Sequence, residues 1–265
     1  MLLENKVAVI YGAGGGVGSA LAQAFAREGA RLFLAGRHLA NIQPIAAGIN
    51  GADAAEVDVL DEESVERHMD QVIRKAGQVD ISFNAAGIAA RRVEEYGMQG
   101  LPLSELPAES FAEPLEFYPR ANFLTARAAV RRMLSGERPG VVLMHTPEPG
   151  RIGAPLLGGM GPAWAAMEAL CRGLSVEYAS RGIRAVCLRT TGLPETPTID
   201  VVFGIHARAM GISWEEARRF FESRTHHQRS TTLSDLTGAA IFLASELASG
   251  VTGAVLNLTA GETGD

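Results

Sequence analysis

An apolar strand pattern, Val7-Ala8-Val9-Ile10-Tyr11, leads without a spacer into Gly12-Ala13-Gly14-Gly15-Gly16-Val17-Gly18. The helical run Ser19-Ala20-Leu21-Ala22-Gln23-Ala24-Phe25-Ala26 follows directly. Strand, glycine turn and helix in that order make a phosphate-binding turn. Glycine accepts a positive φ and keeps a Cβ out of the path of a pyrophosphate. The helix behind it offers free N–H groups and the positive end of its dipole to an anion. A glycine spacing on its own carries little weight; the flanking strand and helix supply the context that a dinucleotide site needs.

The same alternation continues along the chain. Apolar runs at 6–11, 31–35, 54–58, 79–84, 140–145, 183–188 and 254–258 read as strands. Helical patterns at 17–28, 38–48, 62–76, 109–135, 162–181 and 234–246 lie between them. Repeated strand–helix units predict an α/β fold: a doubly wound, seven-stranded parallel sheet of Rossmann type, covered by helices on both faces. No Gly/Ser-rich or charged linker divides the 265 residues, so one domain over 1–265 is expected. Two stretches break the rhythm, 88–108 and 193–232. Long insertions at the C-terminal ends of strands tend to cover ligands in such sheets, which makes 193–232 a candidate substrate lid. Leu156, Leu157, Met160, Val202 and Phe203 are candidate pocket residues on apolarity alone.

A net charge of −6 gives no electrostatic reason to expect nucleic acid or an anionic membrane surface as a partner. No apolar run is long enough to span a bilayer. The first strand begins almost at the N-terminus with no leader pattern, so a cytoplasmic location is expected. Cys171 and Cys187 sit in apolar surroundings and read as reduced core residues. The histidines show no metal-ligand spacing.

The glycine turn together with several later segments resembles the short-chain dehydrogenase/reductase family over nearly the whole chain. The family glycine motif matches Gly12, Gly16 and Gly18, with Val17 between the last two. Strand two ends in Leu34-Ala35-Gly36-Arg37 with no carboxylate beside it. A carboxylate there binds the ribose 2′-hydroxyl of NAD, whereas an arginine accommodates a 2′-phosphate. Arg37, with His38 next to it, therefore points to NADP(H) over NAD(H), since the guanidinium fork suits phosphate. The resemblance places Asp58 and Val59 at the adenine and Asn84, Ala86 and Gly87 at the adenosine ribose. Asp61 is the better placed cap for the helix near 62. Gly192 and Thr196 resemble the nicotinamide-carboxamide contact.

The resemblance also implies a catalytic Tyr-x-x-x-Lys pair, which this chain cannot contain. Its two lysines, Lys6 and Lys75, do not follow a tyrosine by four. Anchoring on Arg172-Gly173-Leu174-Ser175 puts Trp164 in the tyrosine place and Glu168 in the lysine place. Thr146 falls where the family serine belongs and Tyr118 where its asparagine belongs, with Asn122 one helical turn later. An indole N–H does not ionise usefully. A carboxylate at 168 would raise rather than lower the pKa of a nearby phenol.

Proton exchange by Tyr118 or Glu168, with Thr146 orienting substrate, is one expectation. Tyr118, His145, Glu148 and Glu168 are all placed near the reactive end of the cofactor. A structural ion pair between Glu168 and Arg189 is the alternative. Three functions stay open: an NADP(H)-dependent oxidoreductase of an unknown carbonyl or alcohol, a catalytically silent NADP(H)-binding sensor or partner, and a non-redox lyase or isomerase. The first is preferred because a lid makes most sense over a substrate. A small-molecule substrate and a homo-oligomer, dimer or tetramer, are expected from the resemblance.

Overall fold

The computed structural model describes residues 1–264. Its strands are β1 (Val7–Tyr11), β2 (Arg31–Gly36), β3 (Asp53–Glu56), β4 (Ile81–Asn84), β5 (Gly140–Pro147), β6 (Ile183–Thr190) and β7 (Ala254–Leu258). The helices are α1 (Gly16–Arg27), α2 (Leu39–Ala47), α3 (Glu62–Ala76), α4 (Ala90–Glu95), α5 (Ala108–Ser135), α6 (Pro149–Ile152), α7 (Met160–Tyr178), α8 (Pro197–Met210), α9 (Trp214–Ser223) and α10 (Leu233–Ala244).

All seven strands join one parallel sheet in the order β3-β2-β1-β4-β5-β6-β7. The order reverses direction between β1 and β4. In such sheets ligands settle in the crevice beyond the carboxyl ends of the strands at that reversal. Burial on both faces explains why the strands read as continuous apolar runs. Along β1, Val7, Val9 and Tyr11 pack into the core under α3, α5 and α7, while Ala8 and Ile10 face the core under α1, α2 and α10.

Several local expectations hold for stated reasons. The Asp61 side chain accepts from the Glu63 N–H at 3.0 Å and caps α3. Gly77 closes the same helix in the left-handed region. Cys171 and Cys187 are buried free thiols. Three differences bear on the site. β3 ends at Glu56, so Val57, Asp58 and Val59 lie beyond the strand rather than in it. The 88–108 stretch contains the short helix α4. The 193–232 segment folds as two helices, α8 and α9, the second opened by a Ser213/Glu216 capping box.

Candidate active site

The glycine turn is held close to the end of β4. Gly12 has φ +71°, and a Cβ there would stand 2.4 Å from the Ala86 amide nitrogen. A Cβ on Gly18 would stand 2.3 Å from the Gly12 carbonyl oxygen. Both positions therefore exclude a side chain, Gly18 through its own turn and Gly12 through the end of β4 and its positive φ. Gly15, the N-cap of α1, brings no side-chain hydrogen bond, so the first-turn N–H groups of the helix are not capped by protein side chains. The turn fits an anionic pyrophosphate.

One cavity of about 730 Å³ runs from this turn to the 193–232 segment. Gly12, Gly16, Val17, Arg37, Val59, Asn84, Ala86, Gly87, Gly192 and Thr196, all named from sequence, line it. Arg37, His38 and Asn41 lie together at the end past β2, with no carboxylate among the lining residues there. Gly18 supports the turn from behind without lining the cavity. Asp58 also lies outside the lining. It is exposed, and its Oδ1 accepts from the Leu60 N–H at 2.9 Å. Asn84 Oδ1 accepts from the Ala86 N–H at 3.0 Å, which fixes the Ala85–Gly87 turn. Its buried Nδ2 has no partner among the described residues, an orphaned donor that a ligand in the cavity would satisfy. The uncapped helix, the glycine cradle and this donor together fit a dinucleotide.

At the other end of the cavity the residues in the places of the family tetrad separate into two groups. Tyr118 and Trp164 line the cavity, their rings edge-on with centroids 6.3 Å apart. Burial pushes the Tyr118 phenol up to about 12, so it holds its proton firmly at neutral pH. Asn122 also lines the cavity. It donates to the Tyr118 carbonyl at 2.9 Å and leaves its buried Oδ1 unpartnered among the described residues.

Thr146 and Glu168 are absent from the lining. Thr146 is fully buried and donates to Glu168 Oε1 at 3.2 Å. Glu168 accepts two hydrogen bonds from Arg189, at 2.9 and 2.8 Å, with both side chains about 6% exposed. The ion pair anticipated as the alternative is the geometry found. Alternation along β5 explains Thr146: its neighbours His145 and Pro147 point to the cavity side, and Thr146 points to the opposite one.

The pleat brings forward residues that lie outside the family tetrad. His145 lines the cavity, its Nε2 is 2.8 Å from Thr190 Oγ1, and burial pushes its pKa down to about 4. Glu148 follows at the end of the strand, 6% exposed, its backbone N–H bound to the Thr190 carbonyl at 2.8 Å. Burial, then the facing carboxyl of Glu262, pushes the Glu148 carboxyl up to about 8. Glu262 comes from the segment after β7 and pairs with Arg224, just past α9, at 2.9 Å. Strand period places Glu148 close to the site from sequence, but no local signal joins it to Glu262 or Arg224.

The remaining wall is mainly apolar, interrupted by His206 of α8, whose Nε2 lies 3.1 Å from Gln99 Oε1. Leu156, Leu157, Met160, Val202 and Phe203 all line the cavity as anticipated. Phe203 on α8 stacks at 4.8 Å on Phe221 of α9 and lies 6.2 Å from Trp214, so the two helices of the segment are held to each other by aromatic contacts. Among the described residues no cluster of His, Cys, Asp or Glu forms a metal site, and no helix is long and apolar enough to cross a membrane.

A doubly wound parallel sheet with an uncapped glycine turn at its first crossover defines a Rossmann-type dinucleotide-binding protein. Within that class the chain belongs to the short-chain dehydrogenase/reductase family: the family model described as enoyl-(acyl carrier protein) reductase matches residues 12–263. The chain is 32% identical over 255 residues to the uncharacterized oxidoreductase YxbG of Bacillus subtilis, covering 95% of this chain and 88% of that one. It is 28% identical over 262 residues to a sorbitol dehydrogenase of Cereibacter sphaeroides, covering 98% of each. A solved 3-ketoacyl-(acyl-carrier-protein) reductase of Brucella melitensis, in complex with NADH, superposes with a TM-score of 0.83 at 26% identity, over 98% of this chain and 99% of that one. These relatives are oxidoreductases, and the sensor and lyase or isomerase readings find no support among them.

Proposed function

We propose that the protein is an NADP(H)-dependent oxidoreductase that interconverts an apolar carbonyl compound and its alcohol without the proton-handling pair usual in its family. The observation that carries this reading is the single cavity joining the phosphate-binding turn and Arg37 to an apolar chamber under α8 and α9. Gly12 to Gly18 and the α1 N-terminus would hold the pyrophosphate, and Arg37 the 2′-phosphate. Asn84 Nδ2, Gly87, Gly192 and Thr196 would border the adenosine and nicotinamide halves. Asp58, exposed and turned to Leu60, has the weakest claim to the adenine.

A dihydronicotinamide held by these residues would supply the hydride for the carbonyl carbon. The chain must then place the carbonyl, exclude water and give the oxygen a proton. Val202, Phe203 and Phe221 form the apolar side of that chamber, and the 193–232 segment acts as its lid. Tyr118 is a neutral hydrogen-bond donor rather than a base, because its pKa is pushed up instead of down. Residues 1–265 act as one domain, in a cytoplasmic homo-oligomer. A silent cofactor-binding protein is the second reading, supported by the burial of Glu168 in an ion pair.

Fluorescence titration with NADPH and NADH is the first test, with tighter NADPH binding expected. Absorbance assays with NADPH and a panel of apolar aldehydes and cyclic ketones then separate the enzyme from the silent binder. Absence of binding to either dinucleotide overturns both readings. Binding without oxidation of NADPH by any compound leaves the silent binder.

A further inference from the structure

We propose that Glu148 is the catalytic acid–base of this site, sharing one proton with Glu262 under the control of Arg224. The inference rests on the oxidoreductase reading and adds the group that this reading lacks. Trp164 cannot donate a proton reversibly, and Glu168 is committed to Arg189.

Glu148 and Glu262 both line the cavity and face each other within hydrogen-bonding reach. Little of either carboxyl is open to solvent, Glu148 leaving 6% of its surface exposed and the Glu262 side chain 7%. Two carboxylates that close cannot both ionise at low cost, so the pair keeps one proton at neutral pH. The two groups titrate as one unit, and the last proton, the one they share, is lost only at an apparent pKa well above the carboxylate range. Arg224 sits on the Glu262 side at 2.9 Å and so biases the negative charge toward Glu262 and the proton toward Glu148.

Three elements converge on this pair. Glu148 follows β5, Glu262 follows β7, and Arg224 follows α9. The other charged groups facing Glu148 are few. Arg189 on β6 lowers its pKa and is itself bound to Glu168 of α7. His145 on β5 is held neutral by burial. Arg224 thus ties the lid segment to the protonation state of the pair, since α9 cannot move away without uncovering Glu262.

In the reduction the carbonyl π bond breaks and two bonds form. The new C–H bond takes the hydride and its electron pair from the reduced nicotinamide dinucleotide. The new O–H bond takes the proton of Glu148. The pair is left doubly ionised beside Arg224 and takes up one proton from bulk solvent, so the net reaction consumes one hydride and one solvent proton. Oxidation of the alcohol runs through the same groups in reverse.

The test follows NADPH oxidation by the full-length protein with the apolar aldehydes and cyclic ketones, in parallel with NADPH titration. E148Q is expected to lower kcat by about 100-fold or more while its NADPH Kd stays within about twofold of the parent. Retained kcat in E148Q overturns this proposal alone, whereas parent protein that binds NADPH without oxidising it overturns the oxidoreductase reading and this proposal with it. Two neighbouring variants report on the proton itself. In E262Q the repelling charge is gone, so the alkaline limb of kcat/KM for reduction shifts to lower pH. In R224Q the attracting charge is gone, so that limb shifts to higher pH. A structural role predicts no such opposed shifts, and limbs that coincide in all three proteins overturn the assignment.

Discussion

The sharpest revision concerns Glu168. If it handled the proton, E168Q would stop turnover and leave folding intact. The geometry predicts the reverse. The carboxylate is bound twice by Arg189 and once by Thr146, all three buried. Removing its charge breaks the buried ion pair that two hydrogen bonds hold together, a loss of about 3–5 kcal/mol. A urea titration of E168Q should show that drop, and the double variant E168M/R189M should recover most of it, because an apolar pair needs no desolvation. Equal stability of E168Q and the parent would reopen a role for this residue at the cofactor. Arg37 carries the second prediction at this scale. If Arg37 holds the 2′-phosphate as proposed, R37A removes charge-assisted hydrogen bonds worth about 1.5–3 kcal/mol, so NADPH affinity falls roughly ten- to a hundredfold. NADH affinity should be unchanged, and an equal loss for both dinucleotides would remove Arg37 from phosphate recognition. These residues also mark how far sequence reaches. The glycine turn and the place of Arg37 in the cavity lining are legible because each follows directly on a strand end. Thr146 and Pro147 differ by one step of a pleat, and an alignment that ignores the pleat chooses the buried one. Glu262 and Arg224 meet Glu148 only through the folded sheet.

Among the elements, the strands and long helices are readable from sequence because their periodicity is carried by burial on fixed faces. β3 is the exception, since its four residues are only partly buried or exposed and its apolar run continues past the strand as Val57 and Val59. The 193–232 segment is readable as an interruption but not as a helix pair. Its contents depend on contacts between α8 and α9 that no single window shows. Phe203 and Phe221 are the centre of those contacts. F221A should loosen α9 from α8 by about 1 kcal/mol beyond the lost buried area. Because Phe221 lines the apolar chamber away from the phosphate turn, KM for an apolar carbonyl should rise while the NADPH Kd holds. A parallel rise in both would mean that α8 and α9 serve the cofactor rather than the substrate. One such link is at Gly16, where Thr196 packs so close that a Cβ would stand 2.9 Å from its Cγ2.

For the whole molecule, the displaced ionisations make stability itself a function of pH. Glu148 holds its proton up to about 8 in the folded protein, against 4.5 for an ordinary glutamate. Its contribution is therefore fully present below 4.5 and is lost as pH rises through 8. His145 and His68 act in the opposite sense. Burial lowers both from 6.5 to about 4, so their contribution is full above 6.5 and is lost as pH falls through 4. Below 6.5 the imidazoles and the carboxyl pair oppose one another. The thiols of Cys171 and Cys187, raised from 9.0, differ from the unfolded chain only at higher pH. Between 6.5 and 8 the carboxyl pair therefore governs the slope, and unfolding free energy should fall by about 1–2 kcal/mol across that window. Urea midpoints at the two ends of the window measure it, and E148Q should flatten the slope by removing the proton that the folded state retains. NADPH at about a hundred times its Kd should add about 2.7 kcal/mol at either pH if its site at the glycine turn is independent of the pair. A stabilisation by NADPH that itself grows or shrinks across the window would instead show that the nicotinamide end and the Glu148–Glu262 proton are thermodynamically coupled, the behaviour required of a group that touches the reacting atoms.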